Sequence, residues 1–335
     1  MILRTFKKSY LPQYFFLLLL SALLWAGAFI SPPLAAAADN AYLHPGYTAL
    51  LNILGDNPYI LVSAAMLVML ASALVFNFTL EKNGLSGANS LIPAMIFILV
   101  SGLFPSLQTL HQAVVPGFFI IIVLHHVFDI LTEEEPYPKV FNAGFYIAIS
   151  SLFYFPSIVF ILFVWFTFIV YRLYSWREWV ILVFGFLTPY VLLWGYFFWT
   201  DELTMACSAY GEYFRPKTRY DFGAALTLLN YFSVGLAVLL FIRGFFVQLV
   251  SMQENVISVR KRFWAMILFF FISLASFVFS GSLAQFHVIF IQIAAAMIIQ
   301  GFMYNLSRYF LTELMLWLLV VLMAANNFYV AFRGL

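Results

Sequence analysis

Two aspartates, Asp39 and Asp56, are the residues of this 335-residue chain whose type and position would suit acid–base catalysis. Both lie in the stretch that follows the first long apolar segment, and a carboxylate there could act as a general base. Aspartates in loops also serve as turn and cap residues. A catalytic role and a purely structural role are therefore both open for this pair.

A basic cluster later in the chain could bind phosphate. Its members are Arg215, Lys217 and Arg219, with Tyr220 beside them. Guanidinium groups bind phosphate and pyrophosphate through paired hydrogen bonds, so a polyprenyl-phosphate lipid is a candidate ligand. The alternative is that these residues pair with the acidic side chains of their own loop.

Several ionisable residues fall within or beside apolar segments, where a charged group is costly and marks a candidate functional position. His125 and Asp129 are four residues apart, so a helix would place them on one face. They could form a proton relay or part of a metal pair, or they could be an ordinary ion pair near a helix end. Glu313 could pair with Arg308 or cap the last apolar segment. His287, alone in an apolar segment, is predicted to be a hydrogen-bonded core residue.

No cofactor and no metal is predicted. The single cysteine, Cys207, excludes an intramolecular disulfide, and no group of Cys and His residues has the spacing of zinc ligands. The chain contains no Walker loop, no dinucleotide glycine pattern, no His-Glu-x-x-His motif and no nucleophile elbow. Work driven by a nucleotide would therefore need a partner.

The composition places these residues in a lipid bilayer. Hydrophobic residues make up 64% of the chain and charged residues 9%, whereas a soluble domain carries roughly a quarter charged residues. Aromatic residues account for 20%, which suits wide lipid-facing surfaces with rings at the interfaces. The composition excludes a soluble fold and argues against nucleic acid as a partner.

The apolar runs predict an all-α, polytopic transmembrane helical bundle of about eleven spans. We expect spans near residues 11–31, 59–80, 91–106, 113–132, 141–154, 157–174, 178–199, 224–245, 263–281, 284–304 and 309–329. The first run is long enough to span a bilayer and is predicted to be an uncleaved helix rather than a signal peptide. Pro156 predicts a tight re-entry or a broken helix in the run from 141 to 174. Residues 1–335 are expected to form one integral membrane domain.

The basic residues predict the orientation. Most of the 16 Lys and Arg residues fall in loops on the side of the N-terminus, which the positive-inside rule places in the cytoplasm. Segments 31–58 and 200–223 are then outer loops, and the first should contain a short helix near Tyr47–Leu54. Segment 246–262 is predicted to be an amphipathic helix on the cytoplasmic leaflet.

One stretch of the chain carries a family resemblance. Its residues are Phe141-Asn142-Ala143-Gly144, Leu152 to Pro156, Tyr171 to Trp179, Gly185 and Thr188-Pro189-Tyr190. It resembles a family of uncharacterised inner-membrane proteins from Bacteroidota, classed only as a domain of unknown function. The resemblance implies a bacterial inner-membrane location and no assigned activity. Some relatives carry a carotene-monooxygenase label, but an iron oxygenase needs several convergent His ligands, and the five histidines here lie in four separate segments with only one adjacent pair.

Three classes of function are compatible with the sequence. A non-catalytic subunit of a cell-envelope assembly or export complex, with other membrane proteins as partners, fits the absence of a convergent site best. A transferase of polyprenyl-linked sugars or lipids would use the two outer loops. A transporter of small solutes or lipids would use the polar residues within the spans. The sequence leans away from an enzyme.

Overall fold

Helices follow one another along the chain in the computed structural model, which describes residues 2–33, 40–213, 227–280, 284–303 and 310–333. No strand occurs within these ranges. The helices are α1 (Ile2–Phe6), α2 (Leu11–Ile30), α3 (Pro45–Leu54), α4 (Pro58–Lys82), α5 (Ile92–Ser101), α6 (Val114–Asp129), α7 (Tyr137–Phe153), α8 (Phe160–Tyr171), α9 (Trp176–Trp199), α10 (Leu203–Tyr213), α11 (Leu228–Ser251), α12 (Ile257–Ser276), α13 (Ala284–Met303) and α14 (Phe310–Arg333).

Seven helices in the described ranges are long and apolar enough to cross a membrane. They are α2, α4, α6, α9, α11, α13 and α14. Because lipid cannot bond to backbone amide and carbonyl groups, an apolar chain satisfies them internally by forming helices. The all-helical membrane architecture agrees with the sequence prediction. The total of about eleven spans and the cytoplasmic N-terminus go further than this finding and stay predictions.

α5 is much shorter than the span predicted over residues 91–106. It has 10 residues, all of them buried, and therefore extends roughly 15 Å, about half of the roughly 30 Å of bilayer hydrocarbon. Gly102 follows its last residue, and Pro105 begins a short 3-10 turn. The chain then has no α-helix until Val114. The prediction was wrong here because the run is predominantly apolar and long enough for a span, whereas glycine and proline end the helix.

The run from 141 to 174 is divided at Pro156, where a 3-10 turn separates α7 from α8. Ser151 Oγ, near the end of α7, lies 2.8 Å from the hydroxyl of Tyr190 in the later half of α9. Trp165, in α8, stacks on Trp179 in the first turn of α9 with ring centroids 6.1 Å apart. α8 therefore runs back toward the start of α9. Of the two predicted alternatives, a tight re-entry and a broken helix, this is the re-entry.

α7 and α9 approach most closely at two glycines. A Cβ atom on Gly144 would lie 2.2 Å from the carbonyl oxygen of Leu182, and one on Gly185 would lie 2.2 Å from that of Phe141. No side chain fits between the two backbones, so only glycine permits this crossing. The contact fixes the position of α7 and, with it, of Lys139 in its first turn.

The segments predicted between the spans agree with the structure in one case and differ in two. α3 confirms the short helix predicted near Tyr47–Leu54, and α10 lies within the predicted outer loop 200–223. Segment 246–262 differs from the single surface helix that was predicted, because α11 continues to Ser251 and α12 begins at Ile257. The polar Gln248 is accommodated inside the bundle because its side chain donates to the carbonyl of Ile298 at 2.6 Å.

Candidate functional site

The residues predicted for a transferase site are mostly outside the described part of the chain. Asp39, Arg215, Lys217, Arg219 and Tyr220 all fall there. Asp56 is described, and it is exposed in the turn before α4. The next residue, Asn57, caps α4 by accepting a hydrogen bond from the backbone amide of Tyr59 at 3.0 Å. Asp56 thus occupies an ordinary turn position, and the transferase alternative stays a prediction.

His125 and Asp129 meet as their spacing predicts, with His125 Nε2 3.4 Å from Asp129 Oδ2. Two lysines from other helices reach the same carboxylate oxygen, Lys82 Nζ at 2.7 Å and Lys139 Nζ at 3.2 Å. The Asp129 side chain is only 3% exposed. One buried carboxylate is therefore surrounded by two ammonium groups and an imidazole, and this ion-pair cluster ties together α4, α6 and α7.

Arg262 extends this cluster to α12. Its side chain is buried, and it donates from Nε to the carbonyl of Phe128 and from Nη1 to the carbonyl of Asn83, both at 3.1 Å. These carbonyls belong to the ends of α6 and α4, where backbone acceptors lack partners within their own helix. A cation there also complements the negative end of each helix dipole. We call the region formed by Lys82, Asp129, Lys139 and Arg262 the basic end.

The remaining predicted polar residues are in structural positions. Glu313 is half-buried in the first turn of α14, where a carboxylate complements the helix dipole. His287 is fully buried, with Nε2 2.8 Å from Ser276 Oγ and Nδ1 3.3 Å from the Tyr154 hydroxyl. The prediction of a hydrogen-bonded core histidine is confirmed. Within the described residues, no group of three or more His, Cys, Asp or Glu side chains could hold a metal ion.

The connection between α5 and α6 holds buried polar residues that the sequence reasoning missed. Gln108, Thr109, His111 and Gln112 are exposed by 1%, 3%, 2% and 0% of their surface. Burying such groups is unfavourable unless each finds a hydrogen-bond partner. These polar residues follow shortly after Gly102 and Pro105 in the sequence, which is typical of a break in a helix. Apolar runs alone identify spans and give no weight to such a polar cluster.

Gln108 and Asn327 converge on one acceptor inside the bundle. Gln108 Nε2 donates to the carbonyl oxygen of Leu24 at 3.1 Å, and Asn327 Nδ2 donates to the same oxygen. Leu24 lies 6 residues before the end of α2, which is roughly 9 Å along the helix axis. Because a carbonyl only accepts, both amide nitrogens face Leu24 and both amide oxygens are left for other contacts.

Five polar side-chain atoms of this region have no hydrogen-bond partner among the described residues. They are Gln108 Oε1, Thr109 Oγ1, Gln112 Nε2 and Oε1, and Asn327 Oδ1. Buried polar atoms in proteins are paired in the large majority of cases, and an unpaired one costs about 1–3 kcal/mol. We call Gln108, Thr109, Gln112 and Asn327 the amide site. Its neutral donors and acceptors suit a neutral polar ligand.

The neighbours of the amide site are also uncharged. Tyr47 in α3 donates from its hydroxyl to the carbonyl of Leu110 at 3.1 Å, and burial raises the pKa of Tyr47 to about 12. His111 stacks on Phe286 with ring centroids 4.8 Å apart, and burial lowers the pKa of His111 to about 3. Its Nδ1 accepts from the backbone amide of Ala113 at 3.3 Å. Both side chains are therefore neutral near neutral pH.

The apolar helices, the half-length α5 and the buried polar connection define a helical membrane protein with polar groups enclosed in its core. The chain belongs to the family of unknown function DUF6427, whose model matches residues 49–333. No curated protein and no solved structure matches the chain. The predicted resemblance to an uncharacterised family is thereby confirmed at the level of the family. The Bacteroidota origin, the carotene-monooxygenase label and the bacterial inner membrane go beyond this match.

Proposed function

We propose that this protein carries a small neutral polar solute across a membrane and binds it at the amide site. The observation that carries the proposal is the non-helical connection between α5 and α6, which brings unpaired amide and hydroxyl groups into the bundle. Within membranes, non-helical backbone is tolerated where it is enclosed by protein or lines a cavity. Interrupted helices at such positions frame the binding sites of many transporters. This role corresponds to the transporter class that the sequence left open.

The distribution of charge supports a neutral solute. The two buried charged groups of the basic end already have partners. Asp129 is ion-paired with Lys82, and Arg262 donates to a backbone carbonyl. The amide site offers only amide and hydroxyl groups and no counter-charge for an ion. A polyol or a urea-like amide, by contrast, can exchange its hydrogen bonds with water for bonds with these groups.

Osmotic swelling of proteoliposomes tests the proposal. Vesicles containing the full-length protein are mixed with isosmotic glycerol or urea, and solute entry is followed by light scattering. We expect faster entry than in protein-free vesicles, and loss of that difference in Gln112→Leu. The matched control is Gln300→Leu, because Gln300 is equally buried but bonded to the carbonyl of Leu85 at 3.0 Å. Entry of neither solute, or a Gln112→Leu protein that transports both unchanged, would contradict the proposal.

A non-catalytic subunit of a cell-envelope assembly or export complex is the second candidate, favoured by an open groove between α11 and α14. The groove measures about 620 Å³ and is lined by Tyr231, Phe232 and Leu318 among other apolar residues. It also contains Gly235, where an added Cβ would meet nothing within 4 Å. A side chain at Gly235 therefore begins in open space in the isolated protein, whereas a bulky one would obstruct a partner's transmembrane helix.

Co-purification at native expression level separates this second candidate from the first. Gly235→Phe is expected to reduce recovery of a partner subunit in mild detergent without changing the yield of the protein itself. Gly195→Phe on α9 is the control, because a Cβ at Gly195 also meets nothing within 4 Å. A wild-type protein that purifies as a monomer without stable partners would contradict the subunit role.

A further inference from the structure

A polar pocket opens at the same end of the bundle as Asp129, away from the amide site. Its volume is about 220 Å³. It lies between the turn that follows α4, the end of α11 and the start of α12. The polar side chains that line it belong to Ser86, Gln248, Ser251, Asn255 and Arg260. The ion-pair cluster of the basic end uses none of these residues, so the pocket is a separate feature.

The nitrogens of the two lining amides are bonded to backbone carbonyls, which leaves their oxygens as acceptors for a ligand. Gln248 Nε2 donates to the carbonyl of Ile298 at 2.6 Å, and Asn255 Nδ2 donates to the carbonyl of Ser251 at 3.1 Å. Since carbonyls only accept, these contacts fix the orientation of both amides. Gly301 makes room for the first contact, because a Cβ there would lie 1.9 Å from Gln248 Nε2.

Arg260 supplies a positive charge at the pocket. Its side chain is exposed and has no hydrogen-bond or ion-pair partner among the described residues. Its neighbours differ: Lys261 donates to the carbonyl of Tyr171, and Arg262 donates to carbonyls at the basic end. The pocket therefore joins amide oxygens, which bind N–H donors, to a guanidinium that is free to bind phosphate.

We propose that this pocket binds a phosphoethanolamine group. The ammonium donates to the side-chain oxygens of Gln248 and Asn255, and Arg260 binds the phosphate. An ammonium has three donors and no acceptor, which matches a lining of oxygens. The same group occurs in ethanolamine phospholipids and as a soluble phosphomonoester. The position of the pocket at the ends of apolar helices favours the phospholipid, because its headgroup lies at that level. This proposal is independent of the amide site.

Lipid titration of the full-length protein in mild detergent tests the pocket. Phosphatidylethanolamine, phosphatidylcholine and phosphatidylglycerol are added separately, and binding is followed by native mass spectrometry and by the shift in Tm. Phosphatidylethanolamine should bind most tightly, because choline nitrogen has no N–H and phosphatidylglycerol has no amine. Competition by soluble phosphoethanolamine distinguishes the two sources of the group: strong competition indicates the soluble form, and weak competition indicates the lipid.

Two arginine variants sharpen the test. Arg260→Gln should weaken phosphatidylethanolamine binding by roughly tenfold, the loss expected for one charge-assisted hydrogen bond. It should leave the Tm of lipid-free protein unchanged, because Arg260 has no partner to lose. Arg177→Gln, an exposed arginine at the start of α9, is the control and should bind as wild type. Equal binding of the choline and ethanolamine lipids, or undiminished binding by Arg260→Gln, would overturn the proposal.

Discussion

The basic end and the amide site are both polar regions in an apolar bundle, but the charged groups of the first are paired and several polar atoms of the second are not. Asp129 has contacts with Lys82, Lys139 and His125, whereas Gln112 has no partner among the described residues. Buried polar groups are stable when paired and costly when left alone. The basic end therefore holds helix ends together. The amide site contains polar atoms that are not paired within the protein and could bind a ligand, and they lower its stability.

Replacing both lysines that contact Asp129 should cause the largest loss of stability. Lys82→Met with Lys139→Met removes both ammonium groups from the buried carboxylate, and breaking a buried ion pair in this way costs roughly 3–5 kcal/mol. The measurement is denaturant unfolding in mild detergent. Adding Asp129→Asn to the double variant should restore much of the loss, because the remaining group is then neutral. A double variant as stable as wild type would show that these charges do not hold the helix ends.

Acidification should cause the next largest loss of stability, because it protonates His111 beside the amide site. The pKa of His111 is about 3 in the folded protein, below its ordinary value of 6.5. Its contribution to stability is therefore complete above about pH 6.5 and is lost as the pH falls toward 3; at pH 5 the loss is about 2 kcal/mol. Thermal unfolding between pH 7 and pH 5 measures it. His111→Phe cannot titrate and should show a smaller fall in Tm, so identical pH profiles would refute this role.

The smallest expected effect is a gain in stability rather than a loss. Gln112→Leu should raise the free energy of unfolding by about 1 kcal/mol, because it removes two unpaired polar atoms from the core. Gln300→Leu should lower it by about 1 kcal/mol, since it removes a paired amide and leaves the carbonyl of Leu85 without that partner. Parallel Tm measurements compare the two. If both variants are destabilised alike, the two regions do not differ in the way proposed.

The sequence predicts the features that depend on local spacing. Long apolar runs identify the long helices, because a span needs about 20 apolar residues. Spacing of four residues places His125 beside Asp129. The two lysines on Asp129 come from other helices, and no local pattern pairs them with it. The convergence of Gln108 and Asn327 on Leu24 depends on how α2 packs against α14, so the amide site emerges only from the tertiary structure.

The reversal of the chain at Pro156 bears on which side of the bundle each later helix begins. α7 leads away from the end that holds Lys139, and α8 leads back to it, so the pair makes an excursion with no net displacement across the bundle. Lengthening, shortening or deleting such an excursion would leave every later helix on its original side. The sidedness of α9 to α14 therefore does not depend on how far α7 and α8 extend, although the glycine contact of α7 with α9 and the ion pair of Lys139 with Asp129 hold α7 in place.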